Sequence, residues 1–127
     1  MRLFVVRHAE AAPGDPDELR PLTVAGRADA RALGEQLAQQ GLDAVVTSPL
    51  LRARETADAI ARAAGVVAEP DERLAPGADA QSVREAVTGR GGTIVTVGHQ
   101  PDCSEIVLAL TGERVVFAPA AVHEVEL

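Results

Sequence analysis

The stretch Leu3-Phe4-Val5-Val6-Arg7-His8-Ala9-Glu10 decides how the rest of the chain is interpreted. Its first four residues are aliphatic or aromatic, and this pattern predicts a buried strand. Arg7, His8 and Glu10 come where that strand is expected to end. In α/β proteins, ligands bind at the carboxyl ends of the strands. We therefore expect these polar residues to belong to a site rather than to the core.

The composition of the chain restricts its class. With 127 residues, 46% of them hydrophobic, it is expected to form a single domain over residues 1–127. A net charge of −7 with only two aromatic residues disfavours binding to nucleic acid or to an anionic membrane. The short N-terminal apolar run, followed by Arg7, is unlike a spanning helix or a signal peptide, so a cytoplasmic protein is expected. The single cysteine, Cys103, shares the apolar face of a predicted helix with Ile106, Val107 and Leu110 and is expected to be a buried thiol.

Strand-like segments alternate with helix-like segments along the chain. A proline-rich and glycine-rich loop over 11–22 precedes a helix that Thr23 caps and that ends near Gln40. The further predicted elements are a strand over 42–47, a helix from the Ser48-Pro49 cap to Gly65, a strand over 66–68, a loop over 69–77, a helix over 81–87, a strand over 93–97, a helix from Pro101 to Gly112, and extended segments over 114–117 and 121–127. This order predicts a three-layer α/β/α sandwich with a mostly parallel central sheet.

Polar residues follow three of the predicted strands. Arg7 and His8 follow the first strand, Arg52 lies one turn into the helix after the second, and His99 follows the fourth. The carboxyl ends of parallel strands share one edge of the sheet, so we expect these residues to converge there. Two arginines, two histidines and helix N-termini form an anion site, and a guanidinium fork suits phosphate oxygens. A neutral imidazole at such a site can attack phosphorus, although His8 taken alone is more simply explained as a histidine satisfied by backbone groups.

Four blocks of sequence follow one another along the chain. They are Val6-Arg7-His8-Ala9-Glu10, Arg20-Pro21-Leu22-Thr23 with Gly26, Thr47-Ser48-Pro49-Leu50-Leu51-Arg52-Ala53 with Thr56-Ala57, and Val97-Gly98-His99. Their order and spacing resemble the histidine phosphatase (phosphoglycerate mutase-like) superfamily, and within it the small phosphohistidine phosphatases of the SixA type. The resemblance implies that His8 is the nucleophile. It also implies that Arg7, Arg52 and His99 surround the phosphoryl oxygens, and that no metal or cofactor takes part. Arg20 is a further candidate phosphate ligand, with a surface role as the alternative.

Two features leave part of this comparison open. The family's usual glycine after the nucleophile is Ala9 here, which leaves the fine geometry of the pocket undecided. Larger members supply a general acid from an inserted segment that this chain is expected to lack. The local candidates for a general acid are Glu10 and Glu72, with Asp15 and Asp17 beside them, and each could instead be a solvated acid.

The sequence thus predicts a metal-independent phosphatase that acts through a phosphohistidine intermediate on His8. The predicted substrate is phosphohistidine in a partner protein. A phosphoramidate nitrogen leaves readily once it is protonated, so this substrate needs a general acid less than an alkoxide leaving group does. A small phosphate monoester is the alternative substrate, and a non-catalytic phospho-binding module is the alternative class of protein.

Overall fold

The computed structural model describes all residues of the chain, 1–127, and contains one five-stranded sheet between two layers of helices. The strands are β1 (Arg2–Arg7), β2 (Ala44–Thr47), β3 (Ala68–Pro70), β4 (Thr93–Gly98) and β5 (Val122–Glu126), and the α-helices are α1 (Val24–Ala38), α2 (Leu51–Ala64), α3 (Ala80–Val87) and α4 (Asp102–Thr111). The strand order is β3-β2-β4-β1-β5. Only β5 runs antiparallel to its neighbour, so the predicted mostly parallel sandwich is confirmed. None of the helices has the length and apolar character required to cross a bilayer.

Side chains of β1 alternate between the two faces of the sheet. Phe4 and Val6 pack with apolar residues of α1 and α2. Leu3 and Val5 pack on the opposite face with apolar residues of α3 and α4. All four are at most 5% exposed, and burying an aliphatic or aromatic side chain of this size contributes roughly 1.5–3 kcal/mol. Burial on both faces explains why β1 is a continuous apolar run, as is usual for strands of parallel sheets.

The first helix follows the prediction closely. The hydroxyl oxygen of Thr23 accepts the Gly26 N–H at 2.9 Å, which makes Thr23 the N-cap of α1. Ala30, Leu33 and Leu37 are buried on its inner face, and the arginines of the opposite face are exposed. Cys103 of α4 is also buried as expected, and burial raises the pKa of its thiol to about 12.

The third strand lies two residues later than predicted. The prediction over 66–68 is wrong because β3 pairs with β2 in a register that joins Val45 to Ala68 and Thr47 to Pro70. Val66 instead donates its N–H to the Ala61 carbonyl at 3.0 Å and so helps to end α2. The predicted loop over 69–77 therefore begins with strand residues, and it also contains a 3₁₀ turn at Glu72–Leu74.

The start of α2 also differs from the prediction. Ser48 is not its N-cap, because the helix begins at Leu51 and the capping position falls to Leu50, whose side chain makes no capping bond. The hydroxyl oxygen of Ser48 accepts the Leu50 N–H at 3.2 Å, ahead of the helix. Ser48 is completely buried at the end of β2, where it can contact the neighbouring strand end.

Gly26 lies where α1 meets the segment that follows β1. A Cβ at this position would be 2.2 Å from the carbonyl oxygen of Glu10, which also accepts the Thr23 N–H at 3.0 Å. The two backbones are therefore in direct contact, and only a residue without a side chain fits between them.

We expect Gly26→Ala to lower the free energy of unfolding by about 3 kcal/mol, because the added methyl group forces two backbone segments apart. The matched control is Gly92→Ala, since a Cβ there has its nearest neighbour at 3.9 Å. The control should be neutral or slightly stabilising. Urea unfolding of both variants checks this, and equal stabilities would contradict the contact.

Candidate active site

The candidate site lies where β1 and β4 end side by side. Their register pairs Arg7 with Gly98, and the N–H of His8 donates to the Gly98 carbonyl at 3.0 Å. His99 follows directly, and its ring centroid is 5.3 Å from that of His8. In the strand order β3-β2-β4-β1-β5, the neighbouring strand β2 leads to β3 on one side, whereas β4 leads to β5 on the other. Strand ends with connections that diverge in this way form the crevice in which α/β sheets bind ligands.

His8 is placed as a neutral imidazole with one free nitrogen. Its Nδ1 lies 2.7 Å from the carbonyl oxygen of Ala9, so Nδ1 carries the proton and donates it, while Nε2 keeps its lone pair. Burial lowers the pKa of His8 below its ordinary value, and the nearby charges of Arg52, Arg7 and Arg20 lower it further, against the opposing effect of the Ala9 hydrogen bond. Nε2 is therefore available as a nucleophile near neutral pH.

His99 is the second neutral imidazole of the site. Burial lowers its pKa to about 4, and the charges of His8 and Arg52 add to the effect. Its Nε2 lies 2.7 Å from the hydroxyl oxygen of Ser48. If the Ser48 hydroxyl donates to Nε2, the single proton of the neutral ring is on Nδ1, which can then donate to an anion. Ser48 is thus a site residue that sequence reasoning had explained as a helix cap.

Arg7 follows the last core residue of β1. Its Nη1 donates to the carbonyl oxygen of Phe117 at 2.8 Å, which holds the guanidinium in place. Its Nε is buried and has no hydrogen-bond partner within the protein. Buried polar groups are nearly always bonded, and an oxyanion bound at the strand ends would provide such a partner.

Arg52 and Arg20 are joined by one residue of the loop over 11–22. Nη1 of Arg52 donates to the carbonyl oxygen of Asp17 at 2.9 Å, and Nη2 lies 3.2 Å from Oδ2 of the same residue. Nη1 of Arg20 donates to Oδ1 of Asp17 at 3.1 Å, and its Nε donates to the Ala12 carbonyl at 2.9 Å. The loop therefore brings the guanidinium of Arg20 close to that of Arg52. The role of Arg20 as a phosphate ligand stays a prediction.

The acids predicted as proton donors are engaged elsewhere or lie free in solvent. The carboxylate of Glu10 accepts the hydroxyl of Thr23 at 2.7 Å. Glu72 is exposed on its 3₁₀ turn. The pKa of Asp17 is lowered by its hydrogen bond from Arg20 and then by that from Arg52, so it remains ionised and is unsuited to give up a proton. The identity of the general acid stays a prediction.

The backbone around His8 is held from two sides. The N–H of Ala9 donates to Oγ1 of Thr56 at 3.0 Å, and the Thr56 hydroxyl donates to the Arg52 carbonyl at 2.9 Å. On the other side, the N–H of Ala120 donates to the His8 carbonyl at 3.2 Å. Ala120 has a φ of 62°, a left-handed conformation that is unusual for alanine. Only Thr56 could be found from sequence, through its spacing of one turn from Arg52.

Two surface grooves lie away from these strand ends. They occupy about 240 and 540 Å³ on the outer side of α1 and α2, and share Arg31, Ala59 and Arg62 in their lining. Neither is lined by any of the four convergent residues, Arg7, His8, Arg52 and His99. The grooves are therefore separate from the candidate site.

The profile of the histidine phosphatase superfamily (branch 1) matches residues 3–76, more than half of the chain. The chain belongs to the histidine phosphatase superfamily. An uncharacterized protein of Picosynechococcus sp. is 34% identical over 136 residues, which cover 96% of this chain and 82% of that protein.

Solved structures place the protein among the small SixA-type members of this superfamily. The protein histidine phosphatase SixA complexed with tungstate aligns with a TM-score of 0.89 at 30% identity, over 100% of this chain and 88% of the other. The putative phosphohistidine phosphatase SixA from Agrobacterium tumefaciens aligns with a TM-score of 0.75 at 27% identity, over 88% and 77%. These matches support phosphatase chemistry through a histidine.

In this histidine phosphatase, Ser48→Ala is expected to lower kcat/KM roughly five- to tenfold without unfolding the protein. The reason is the loss of one hydrogen bond that selects the His99 tautomer, worth about 1 kcal/mol. Thr88→Ala is the control, because that hydroxyl bonds only the Arg84 carbonyl on an exposed surface. Steady-state kinetics on an aryl phosphate, with circular dichroism to confirm folding, measure the difference. Unchanged kinetics in Ser48→Ala would show that His99 does not depend on Ser48.

The chain contains three histidines, so their titration can be followed one by one in NMR spectra. We expect the imidazole of His99 to titrate near pH 4 and that of His8 below 6.5, because both pKa values are lowered in the folded protein. The unfolded chain binds these protons at higher pH, so the folded state loses stability as the pH falls below about 6.5. His8→Asn and His99→Asn assign the two signals. A site histidine that titrates above 6.5 would contradict the proposed electrostatics.

Proposed function

We propose that the protein is a metal-independent phosphatase that removes the phosphoryl group from phosphohistidine in a partner protein, with His8 as nucleophile in one histidine phosphatase domain over residues 1–127. The observation that carries the proposal is the free Nε2 of a neutral His8 near the charges of Arg7, Arg52 and Arg20. The centroid of the His8 ring is 5.3 Å from that of the second neutral imidazole, His99. This arrangement combines an uncharged nucleophile with cationic donors for the phosphoryl oxygens.

The reaction has two steps. Nε2 of His8 attacks the phosphorus, and the bond from phosphorus to the substrate nitrogen breaks. A phosphoimidazole protonated on its other nitrogen leaves as neutral imidazole, so it takes no further proton from the protein. Water then attacks the phosphorus, the bond to Nε2 breaks, and inorganic phosphate is released. In both steps Arg7, Arg52 and His99 donate to the equatorial oxygens, where phosphoryl transfer concentrates negative charge.

A phosphohistidine substrate is compatible with the carboxylic acids near this site, because its leaving group needs no proton from them. The carboxylate of Glu10 accepts the hydroxyl of Thr23, and Asp17 is kept ionised by two arginines, so neither is placed as a proton donor. An alkoxide leaving group would need such a donor, whereas a protonated imidazole does not. The 30% identity to a protein histidine phosphatase over the whole length of this chain points to the same substrate class.

The test compares a carrier protein phosphorylated on histidine with a generic aryl phosphate. Wild type is expected to dephosphorylate the carrier, and His8→Ala should lose at least a thousandfold in rate because the nucleophile is absent. The matched control is His123→Gln, because His123 lies on β5 and faces Glu113 at 3.5 Å. Rapid quenching should trap acid-labile phosphate on His8 in wild type.

Each other outcome has a definite meaning. Turnover of the aryl phosphate alone would make the protein a phosphatase of small monoesters. Binding of phosphate analogues without turnover of either substrate would make it a phospho-binding module. Trapped phosphate on a residue other than His8 would refute the proposed nucleophile.

A further inference from the structure

We propose that Asp17 is a specificity residue: it holds Arg52 and Arg20 together and leaves a permanent carboxylate at the site, which disfavours substrates that carry a second negative charge. The inference rests on the phosphatase site proposed above and names the class of substrate that this site selects. Asp17 entered the sequence interpretation only as one of several candidate acids. Its contacts assign it a different role.

All three oxygen atoms of Asp17 contact arginines of the site. The backbone carbonyl accepts from Arg52 at 2.9 Å, Oδ2 is 3.2 Å from the same guanidinium, and Oδ1 accepts from Arg20 at 3.1 Å. One residue therefore sets the position of both side chains. The bonds come from a loop, so the sequence spacing of these three residues does not reveal them.

The arginines keep enough donors to bind a phosphoryl group while Asp17 stays in place. A guanidinium has five N–H groups. Arg52 gives two of them to Asp17, and Arg20 gives one to Asp17 and one to Ala12. Three remain on each side chain. A phosphoryl group can therefore bind without displacing the carboxylate, and the two anions then lie close to the same cations.

The carboxylate also lies on the outer side of the site. The Asp17 side chain is 57% exposed, whereas that of Arg52 is 9% exposed. The hydrogen bonds from both arginines lower the pKa of Asp17 below its ordinary value, so its carboxylate is charged near neutral pH. The charge of Asp17 also opposes the lowering of the His99 pKa, which burial and the neighbouring cations cause.

A fixed negative charge beside the phosphoryl position discriminates between leaving groups. The negative charge of the phosphoryl group itself is common to all substrates, and a neutral or cationic carrier, such as a protonated imidazole, adds no further repulsion from Asp17. A phosphorylated compound with a carboxylate or a second phosphate brings a further negative charge towards Asp17 in a partly solvated site, and like charges repel. The structure thus favours a phosphohistidine side chain over anionic phosphorylated metabolites.

The experiment measures the binding of two substrate analogues by isothermal titration calorimetry. The probes are phenylphosphonate and 4-carboxyphenylphosphonate, which differ by one negative charge and are not hydrolysed. Wild type should prefer phenylphosphonate. In Asp17→Asn, affinity for the carboxylated probe relative to the plain one should rise roughly three- to tenfold at low salt. The gain should shrink in 1 M salt, where the Debye length is about 3 Å.

Glu18→Gln is the matched control, because Glu18 belongs to the same 3₁₀ turn, is exposed and forms no ion pair. It removes the same charge and should shift the ratio much less than Asp17→Asn does. An unchanged ratio in Asp17→Asn, or an equal shift in both variants, would overturn the inference. An equal loss of affinity for both probes in Asp17→Asn would overturn the inference too, since Asp17 would then only position the arginines.

This result is distinguishable from failure of the proposed function. Binding of the phosphonates requires no turnover, so a protein that binds both probes selectively but hydrolyses nothing would retain Asp17 as a specificity residue and lose the enzyme assignment. Conversely, a protein that hydrolyses phosphohistidine with no charge selection would keep the function and lose the role of Asp17.

Discussion

The hydrogen bond from the His8 N–H to the Gly98 carbonyl extends the pairing of β1 with β4 by one residue beyond the last strand pair. Because the two strands are parallel, both end at the same edge of the sheet. The ring centroids of His8 and His99 are therefore only 5.3 Å apart. A slip of one residue would turn every β1 side chain to the opposite face. Such a slip would also bring Arg2 or Arg7 to a position now held by Leu3 or Val6, which are fully buried, so the hydrophobic core determines the geometry of the site.

The electrostatics of the site depend on this same convergence. Arg7, Arg52 and Arg20 all act on His8 in a protein whose net charge is −7. Burial is the main cause that holds both histidines in their neutral forms, and the charges of Arg52 and Arg7 add to it. Three guanidinium groups would repel one another, and Arg52 is only 8% exposed. Asp17 offsets this by placing one carboxylate between Arg20 and Arg52. The loop that carries Asp17 is therefore part of the electrostatic balance of the site, and not only its rim.

Local patterns in the sequence were enough to predict the presence of the four helices, the strands β1, β2 and β4, and the sheet edge towards which the four convergent residues were assigned. Apolar periodicity and caps such as Thr23 report on neighbours along the chain, and α1 follows them closely. The position of β3 depends instead on its register with β2, and the partner of Ser48 is 51 residues away in His99. The link from Asp17 to Arg52 spans 35 residues. These features arise from tertiary contacts, for which a single sequence contains no local signal.

Ala9 is the one departure from the family pattern beside the nucleophile, and the structure shows why its side chain is tolerated. Its backbone does not adopt the left-handed conformation, since Ala120 is the only non-glycine residue with a positive φ. Its methyl group is fully buried with Leu22 and Ala30, and its N–H still reaches Thr56. By contrast, a methyl group at Gly26 is excluded, because a Cβ there would overlap the carbonyl oxygen of Glu10.

The strained backbone conformation near the nucleophile is that of Ala120, not that of Ala9. Ala120 adopts a φ of 62° and donates its N–H to the His8 carbonyl at 3.2 Å. A left-handed conformation costs a non-glycine residue roughly 1–2 kcal/mol, and it persists only where surrounding contacts enforce it. The neighbouring Ala121 carbonyl accepts the Arg7 N–H at 3.1 Å, so the strained turn leads directly into the pairing of β5 with β1. The backbone of His8 is thus held between β4 and this turn. Both hydrogen bonds are made by backbone atoms, so neither depends on the side chain of the next residue, Ala9.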